Sequence, residues 1–237
     1  MIENPNFDIG KEQSATEIIE IPGIKVVDQM EIPTSKGFGE AFRLRINKKA
    51  CGAALLEMTS EFWHNQNQLE EIVSAQKALY EIFGTSREDF HQGNPDIHIY
   101  PGLGCTLEAL KTAGIKIGLL GSETFYNKTP AEILAYVKNG FPTIVEVGAR
   151  DTSKNQYEHW QIPSGKEYWQ LTNGHFVLIT GFEKDKKTSK YQKISVMDPL
   201  NYRWFNYYTL EEFNRAAYIK DKKGNEYYWG QGVLLKP

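Results

Sequence analysis

Hydrophobic positions along the 237-residue chain follow two different periods. In "CGAALLEMTSEFW" the apolar residues Ala54, Leu55, Met58 and Phe62 recur at helical spacing, and "NQLEEIVSAQKALYEIF" continues with Leu69, Ile72, Ala75, Leu79 and Ile82. Two helices are therefore expected directly after Cys51. Two shorter helices carry start and stop signals. "TLEALKTAG" opens with Thr106 as its cap and stops at Gly114, while "TPAEILAYVKNG" has Thr129 as cap, Pro130 at the first helical position and Gly140 as the stop. From residue 142 the period becomes that of strands, in "PTIVEVGA", "HFVLITGF", "YQKISVMDP" and the tail "YYWGQGVLLKP". An antiparallel meander is the natural reading. Helices first and strands afterwards predict an α+β architecture.

The first twenty residues are polar and acidic, with Glu3, Asp8, Glu12, Glu17 and Glu20 against Lys11. They are expected to be a poorly ordered lead over 1–20, unless Ile18, Ile19 and Ile21 dock as an edge strand. No repeat, linker or low-complexity block divides the rest, so a single domain is expected over 21–237. The acidic start is the opposite of a basic and then apolar export signal. The compartment stays open between export, with a signal already removed, and the cytoplasm. The longest buried-looking stretch, "HFVLITGF", is strand-sized, so no membrane span is expected. With 27 Lys and Arg against 30 Asp and Glu, the formal net charge of -3 provides no basic field for nucleic acid.

Candidate chemistry enters at the strands. Between "HFVLITGF" and "YQKISVMD" lies "EKDKKTSK", which contains no apolar residue and reads as a hairpin loop. If Phe182 pairs with Tyr191 across it, antiparallel register sets His175 opposite Asp198. Opposed residues on one face have Cβ atoms about 5 Å apart, close enough for a carboxylate to orient an imidazole. A slip of one residue would turn the two to opposite faces. Cys51 stands where the alternation of "AFRLRIN" gives way to the helical "CGAALLEM". A helix N-terminus acidifies a thiol, and an adjacent imidazolium does so further. Taken singly, each residue has a structural explanation: a core cysteine, a histidine flanking an apolar strand, an Asp-Pro turn. Together they form an activated nucleophile for acyl transfer.

Other residues are weaker candidates. Cys105 in "YPGLGC" also precedes a helix and has His98 nearby, but no acid and strand hairpin accompany it. His64, His91 and His159 sit in polar contexts and lack the paired spacing of zinc ligands, so neither a metal nor a cofactor is expected. Two cysteines allow one disulfide at most. Trp160, Tyr168 and Trp169, which precede His175, either edge a cleft or cap the core.

The order "ACGAALLEM", "GCTLEALKTAG", "GFPTIVEV", "NGHFVLITGF", "ISVMDPLN" and "YTLEEFNRA" resembles the bacteriocin-processing cysteine peptidases (peptidase family 39) and their stand-alone relatives, over about residues 45 to 237. The resemblance implies a papain-like fold, with N-terminal helices packed on a C-terminal antiparallel sheet and the nucleophile at a helix N-terminus. It also implies a bacterial thiol hydrolase acting on peptides or other amides, with Cys51 as nucleophile, His175 as general base and acid, and Asp198 orienting the imidazole. No phosphate-binding loop is present, so the ATPase domain fused to the best-known relatives is not expected in this chain. The chain departs from the family at one point. Arg45 stands where a glutamine usually helps form the oxyanion hole, which leaves Asn47 or Gln29 as the second donor beside the Cys51 backbone N–H. Two alternatives share the fold: an acyl or amide-group transferase using the same triad, and an inactive peptide-binding module.

Overall fold

A computed structural model of the chain describes residues 15–33, 47, 50–83, 99–100, 104–148, 157–161, 167–171, 174–200, 207–217 and 230–237. The elements in chain order are strand β1 (Thr16–Glu20), helix α1 (Cys51–Asn65), the short helix α2 (Ala75–Lys77), strands β2 (Ile99–Tyr100) and β3 (Gly104–Cys105), helix α3 (Leu107–Lys116), strand β4 (Glu123–Phe125) and helix α4 (Pro130–Lys138). Strands β5 (Thr143–Val147), β6 (Tyr157–Gln161), β7 (Glu167–Leu171), β8 (His175–Asp185), β9 (Tyr191–Met197) and β10 (Tyr207–Tyr208) follow, then helix α5 (Leu210–Ala217) and strand β11 (Gly232–Leu234).

The capping signals act as expected. Thr106 accepts from the Ala109 N–H, and Thr129 and Glu132 form a reciprocal capping box with Pro130 in the first turn. Helix α4 gives way to Gly140 at φ 84, a left-handed position that suits glycine. Helix α3 runs beyond the expected stop at Gly114. That glycine lies inside the helix, with no room for a Cβ beside Leu235 and Ser122, and the left-handed turn comes at Gly118.

The second helix is shorter than its periodicity predicts. Leu69 and Ile72 are not helical, because the Val73 N–H bonds the Ser60 hydroxyl and the Ala75 N–H bonds the Glu57 carboxylate. Ser74 caps a helix that starts only at Ala75 and widens into a π-turn over Ala78–Ile82.

The main sheet has the order β10-β9-β8-β5-β11-β4, and β1 also joins β8. All its printed pairings are antiparallel. It is not a sequential meander. The C-terminal strand β11 inserts between β4 and β5, and β1 and β4 bring in chain from before residue 142. Within the expected lead, Thr16–Glu20 pairs with Gly181–Asp185 of β8, so Ile18 and Ile19 dock in a strand. The reason is that β8 is long. Its first half pairs with β5 and its second half would otherwise leave an open edge, which β1 covers.

All five residues of β5 are buried. Helices α1 and α4 pack on β8, α3 on β11, and α5 on β5 and β9. Leu55, Leu56, Met58, Leu110, Ile144, Phe182 and Phe213 are among the fully buried side chains. Each contributes about 1.5–3 kcal/mol through removal from water.

The β8–β9 register differs from the expected one. Strand β8 continues through Glu183 to Asp185, so the turn is shorter than "EKDKKTSK". Lys184 rather than Phe182 faces Tyr191, and the register shifts between Ile179 and Gly181 and again between Glu183 and Lys184. Leu178 pairs with Met197, so one further step would set Val177, not His175, opposite Asp198. His175 is two residues from Val177 and therefore on the same face, within diagonal reach.

Candidate active site

Cys51 is the first residue of α1, and its buried predecessor Ala50 caps the helix without a side-chain bond. The Ala50 N–H instead bonds the Asn47 carbonyl, which also accepts from Gln29 Nε2 at 2.8 Å. Asn47 in turn donates from Nδ2 to the Met30 and Ile32 carbonyls. The Gln29 N–H bonds the Pro199 carbonyl at 2.8 Å. The short turn Gln29–Glu31 is thus a strut that ties the chain entering Cys51 to the residue that follows Asp198.

His175 begins β8, opposite Val147 of β5. Its Nε2 donates to Asp198 Oδ1 at 2.6 Å, and the same oxygen accepts the Leu200 N–H at 2.8 Å, which fixes the carboxylate at the end of β9. With Nε2 held by Asp198, Nδ1 is the ring nitrogen left for the Cys51 thiol, which is near enough to favour the charged imidazole. Burial alone would make the imidazole harder to protonate. That is the largest single effect, but the Asp198 and Cys51 hydrogen bonds and the two partners' charges together outweigh it and push the pKa up to about 10. The structure therefore brings Cys51, His175 and Asp198 together.

The oxyanion candidates separate. Both N–H groups of the Asn47 amide are bonded to main-chain carbonyls, so it has none left to donate. Gln29 is fully buried and uses one of its two amide hydrogens on the Asn47 carbonyl, which leaves the other. Arg45 lies outside the described residues.

The second thiol is close by. Cys51 and Cys105 are both free and buried. Cys105 is pushed well above the usual thiol range, first by burial and then by the charge of Cys51, so it stays protonated and unreactive. It packs against Gly52, where an added Cβ would lie 2.2 Å from the Cys105 sulfur and 3.2 Å from Leu110 Cδ2. Gly52→Ala is expected to lower the unfolding free energy by about 1–3 kcal/mol through overpacking. Chemical denaturation measures this, and most of the loss should be recovered in Gly52→Ala/Cys105→Ala.

Among the other candidates, His64 is half-buried with Nδ1 against the Leu69 carbonyl, and His91 and His98 lie outside the described residues. His159 is in β6 and faces Trp169 of β7 in the strand register. Among the described residues no cluster of three or more His, Cys, Asp or Glu could hold a metal, and no helix is long and apolar enough to cross a membrane.

One residue went unnoticed in the sequence. Glu146 lies in the middle of "TIVEV", is 3% exposed, and accepts from Gln231 Nε2 while its Oε1 has no partner. A lone carboxylate within an apolar strand was the available signal.

With this geometry in view, the comparisons assign the family. The model of the peptidase C39 like family matches residues 22–225. The chain belongs to that family. A crystal structure of a C39-like peptidase candidate from Bacillus anthracis superposes with a TM-score of 0.58 at 17% identity, covering 93% of this chain and 98% of that one. It shares the α+β fold. No curated protein matches the chain significantly. Membership suggests cysteine peptidase activity, and the matched residues 22–225 take in Gln29, Cys51, His175 and Asp198.

Proposed function

We propose that this C39-like chain hydrolyses peptide bonds, with Cys51 as nucleophile, His175 as general base and acid, and Asp198 as the group that orients His175. The observation that carries the reading is the imidazole bonded to Asp198, with the Cys51 thiol at a helix N-terminus acting on the same ring. Nδ1 takes the proton of the thiol, and the sulfur attacks the substrate carbonyl carbon. Negative charge develops on the carbonyl oxygen, where the Cys51 backbone N–H and the remaining Gln29 amide hydrogen are the donors this reading assigns. As the tetrahedral intermediate collapses, the C–N bond breaks and the imidazolium protonates the leaving amine. Water, deprotonated by His175, then cleaves the thioester and restores the thiol.

Two measurements test the reading together. Profiling on a peptide library is expected to show cleavage by the native chain and none by Cys51→Ala, and added amines that divert the product would instead reveal a transferase. Iodoacetamide at mildly acidic pH is expected to label Cys51 far faster than Cys105, since a sulfur beside a protonated imidazole is reactive and a buried protonated thiol is not. Equal, slow labelling of both thiols would point to an inactive binding module.

A further inference from the structure

Gln29 and Asn47 are both fully buried, and each donates to the other's stretch of backbone. Gln29 Nε2 donates to the Asn47 carbonyl at 2.8 Å, while Asn47 Nδ2 donates to the Met30 carbonyl at 3.1 Å and to the Ile32 carbonyl at 3.0 Å. Met30 lies in the short turn that carries Gln29, and Ile32 directly follows that turn. Asp28 and Pro199 also hold the turn, but through its main-chain N–H groups: the Asp28 carboxylate accepts from Met30 and the Pro199 carbonyl from Gln29. The Gln29 side chain is held by Asn47.

A glutamine amide has two ends of opposite polarity. Nε2 donates and can stabilise an oxyanion, whereas Oε1 in the same place would repel it. Which end stands where depends here on one bond. Among the described residues neither Gln29 Oε1 nor Asn47 Oδ1 has a hydrogen-bond partner, so no bond to oxygen orients either amide. The Nε2 bond to Asn47 does orient Gln29, because a flipped amide would set Oε1 against the Asn47 carbonyl, acceptor against acceptor. The Asn47 amide is fixed by the same logic, since two carbonyls within 3.1 Å require its nitrogen to face them. The Asn47 carbonyl accepts the Ala50 N–H as well, one residue before Cys51. The second oxyanion donor and the start of α1 are therefore both referenced to one oxygen atom. Buried acceptors without partners weaken a fold, and two of them beside a nucleophile fit an arrangement kept for geometry rather than for stability.

We propose that Asn47 is a positioning residue for the oxyanion: its side chain holds the Gln29 turn, and its carbonyl sets the Gln29 amide so that the free Nε2 hydrogen meets the substrate oxygen together with the Cys51 N–H. This inference rests on the peptidase reading above. Asn47 acts through Gln29. The interaction it supports strengthens only as charge builds on the substrate oxygen, so its loss belongs in kcat and leaves ground-state binding as it is.

Kinetics on a library peptide that the native chain cleaves test this, with kcat counted per rapidly labelled Cys51. Gln29→Ala is expected to lower kcat roughly 100- to 1,000-fold and Asn47→Ala about 10- to 100-fold, each with KM within about twofold of native. Gln29→Ala/Asn47→Ala should be no slower than Gln29→Ala, because Asn47 then has nothing left to position. The iodoacetamide rate at Cys51 should be unchanged in all three, since alkylation develops no oxyanion. Asn47→Asp, which keeps the shape of the side chain and removes Nδ2, gives the same comparison without a cavity at the site. A purely structural Asn47 would lower the number of rapidly labelled sites and leave kcat per site unchanged. That result, independent losses in the double variant, a Cys51 labelling rate that falls with kcat, or a rise in KM without a fall in kcat would overturn the proposal. Failure of the peptidase reading is separately visible in the unsubstituted chain, as no cleavage and slow Cys51 labelling.

Discussion

Cys51→Ala and His175→Ala are each expected to reduce peptide hydrolysis roughly 10^4-fold or more, and the double variant should be no worse than either single one. The non-additivity follows from the geometry. The sulfur is activated through the imidazole, and the imidazole acts on the substrate only through the sulfur and its leaving group, so losing either disables both. Steady-state kcat/KM on a peptide taken from the library measures it; residual activity within tenfold of the native chain would rule out these roles. The alkaline limb of the same assay reports the imidazole. His175 must donate a proton to the leaving amine, and its pKa is pushed up to about 10, so turnover should persist to high pH and fall as the pH passes about 10. Asp198→Asn removes a partner that favours the charged ring, and the limb should move to lower pH.

The second large effect is on stability and belongs to Glu146. Burial pushes its pKa from 4.5 up to about 7, and the Gln231 hydrogen bond only partly opposes this. Between these two values the folded chain holds a proton that the unfolded chain has released. Stability therefore falls as pH rises from about 4.5 through about 7 and then levels off, by roughly 3 kcal/mol in all. His175 has the opposite protonated partner set but the same slope at higher pH: its contribution is full below 6.5 and lost as pH rises through about 10. Glu146→Gln removes the first effect while keeping an acceptor for Gln231. Its melting temperature is expected to exceed that of the native chain at pH 8 and to match it more closely near pH 4.5. A difference that does not vary with pH would show that the Glu146 pKa is the same in the folded and unfolded chain. The carboxylate's charge also raises Cys105, so the two buried acids oppose each other's ionisation behind Cys51.

The Cys51–His175–Asp198 cluster was legible in the sequence even though the register behind it was not. The expected pairing put His175 directly opposite Asp198, whereas the observed ladder points to Val177. The contact survives because a displacement of two residues keeps both side chains on one face, whereas a slip of one would have separated them. The choice between Asn47 and Gln29 was out of reach of spacing alone. It depends on which amide hydrogens are already taken by the Met30, Ile32 and Asn47 carbonyls.

What the sequence by itself determined is local. Thr106, Thr129 and Pro130 mark helix starts because their side chains or ring act on backbone within one turn, and Cys51 begins a helix where apolar spacing changes from two to nearly four. What only the tertiary structure decided is non-local: β1 covering the free half of β8, β11 entering between β4 and β5, and Ser60 and Glu57 drawing the Val73 and Ala75 N–H groups out of a helix. Those outcomes turn on competition among distant hydrogen-bonding groups for the same partners, and a pattern of apolar residues carries no record of which competitor arrives.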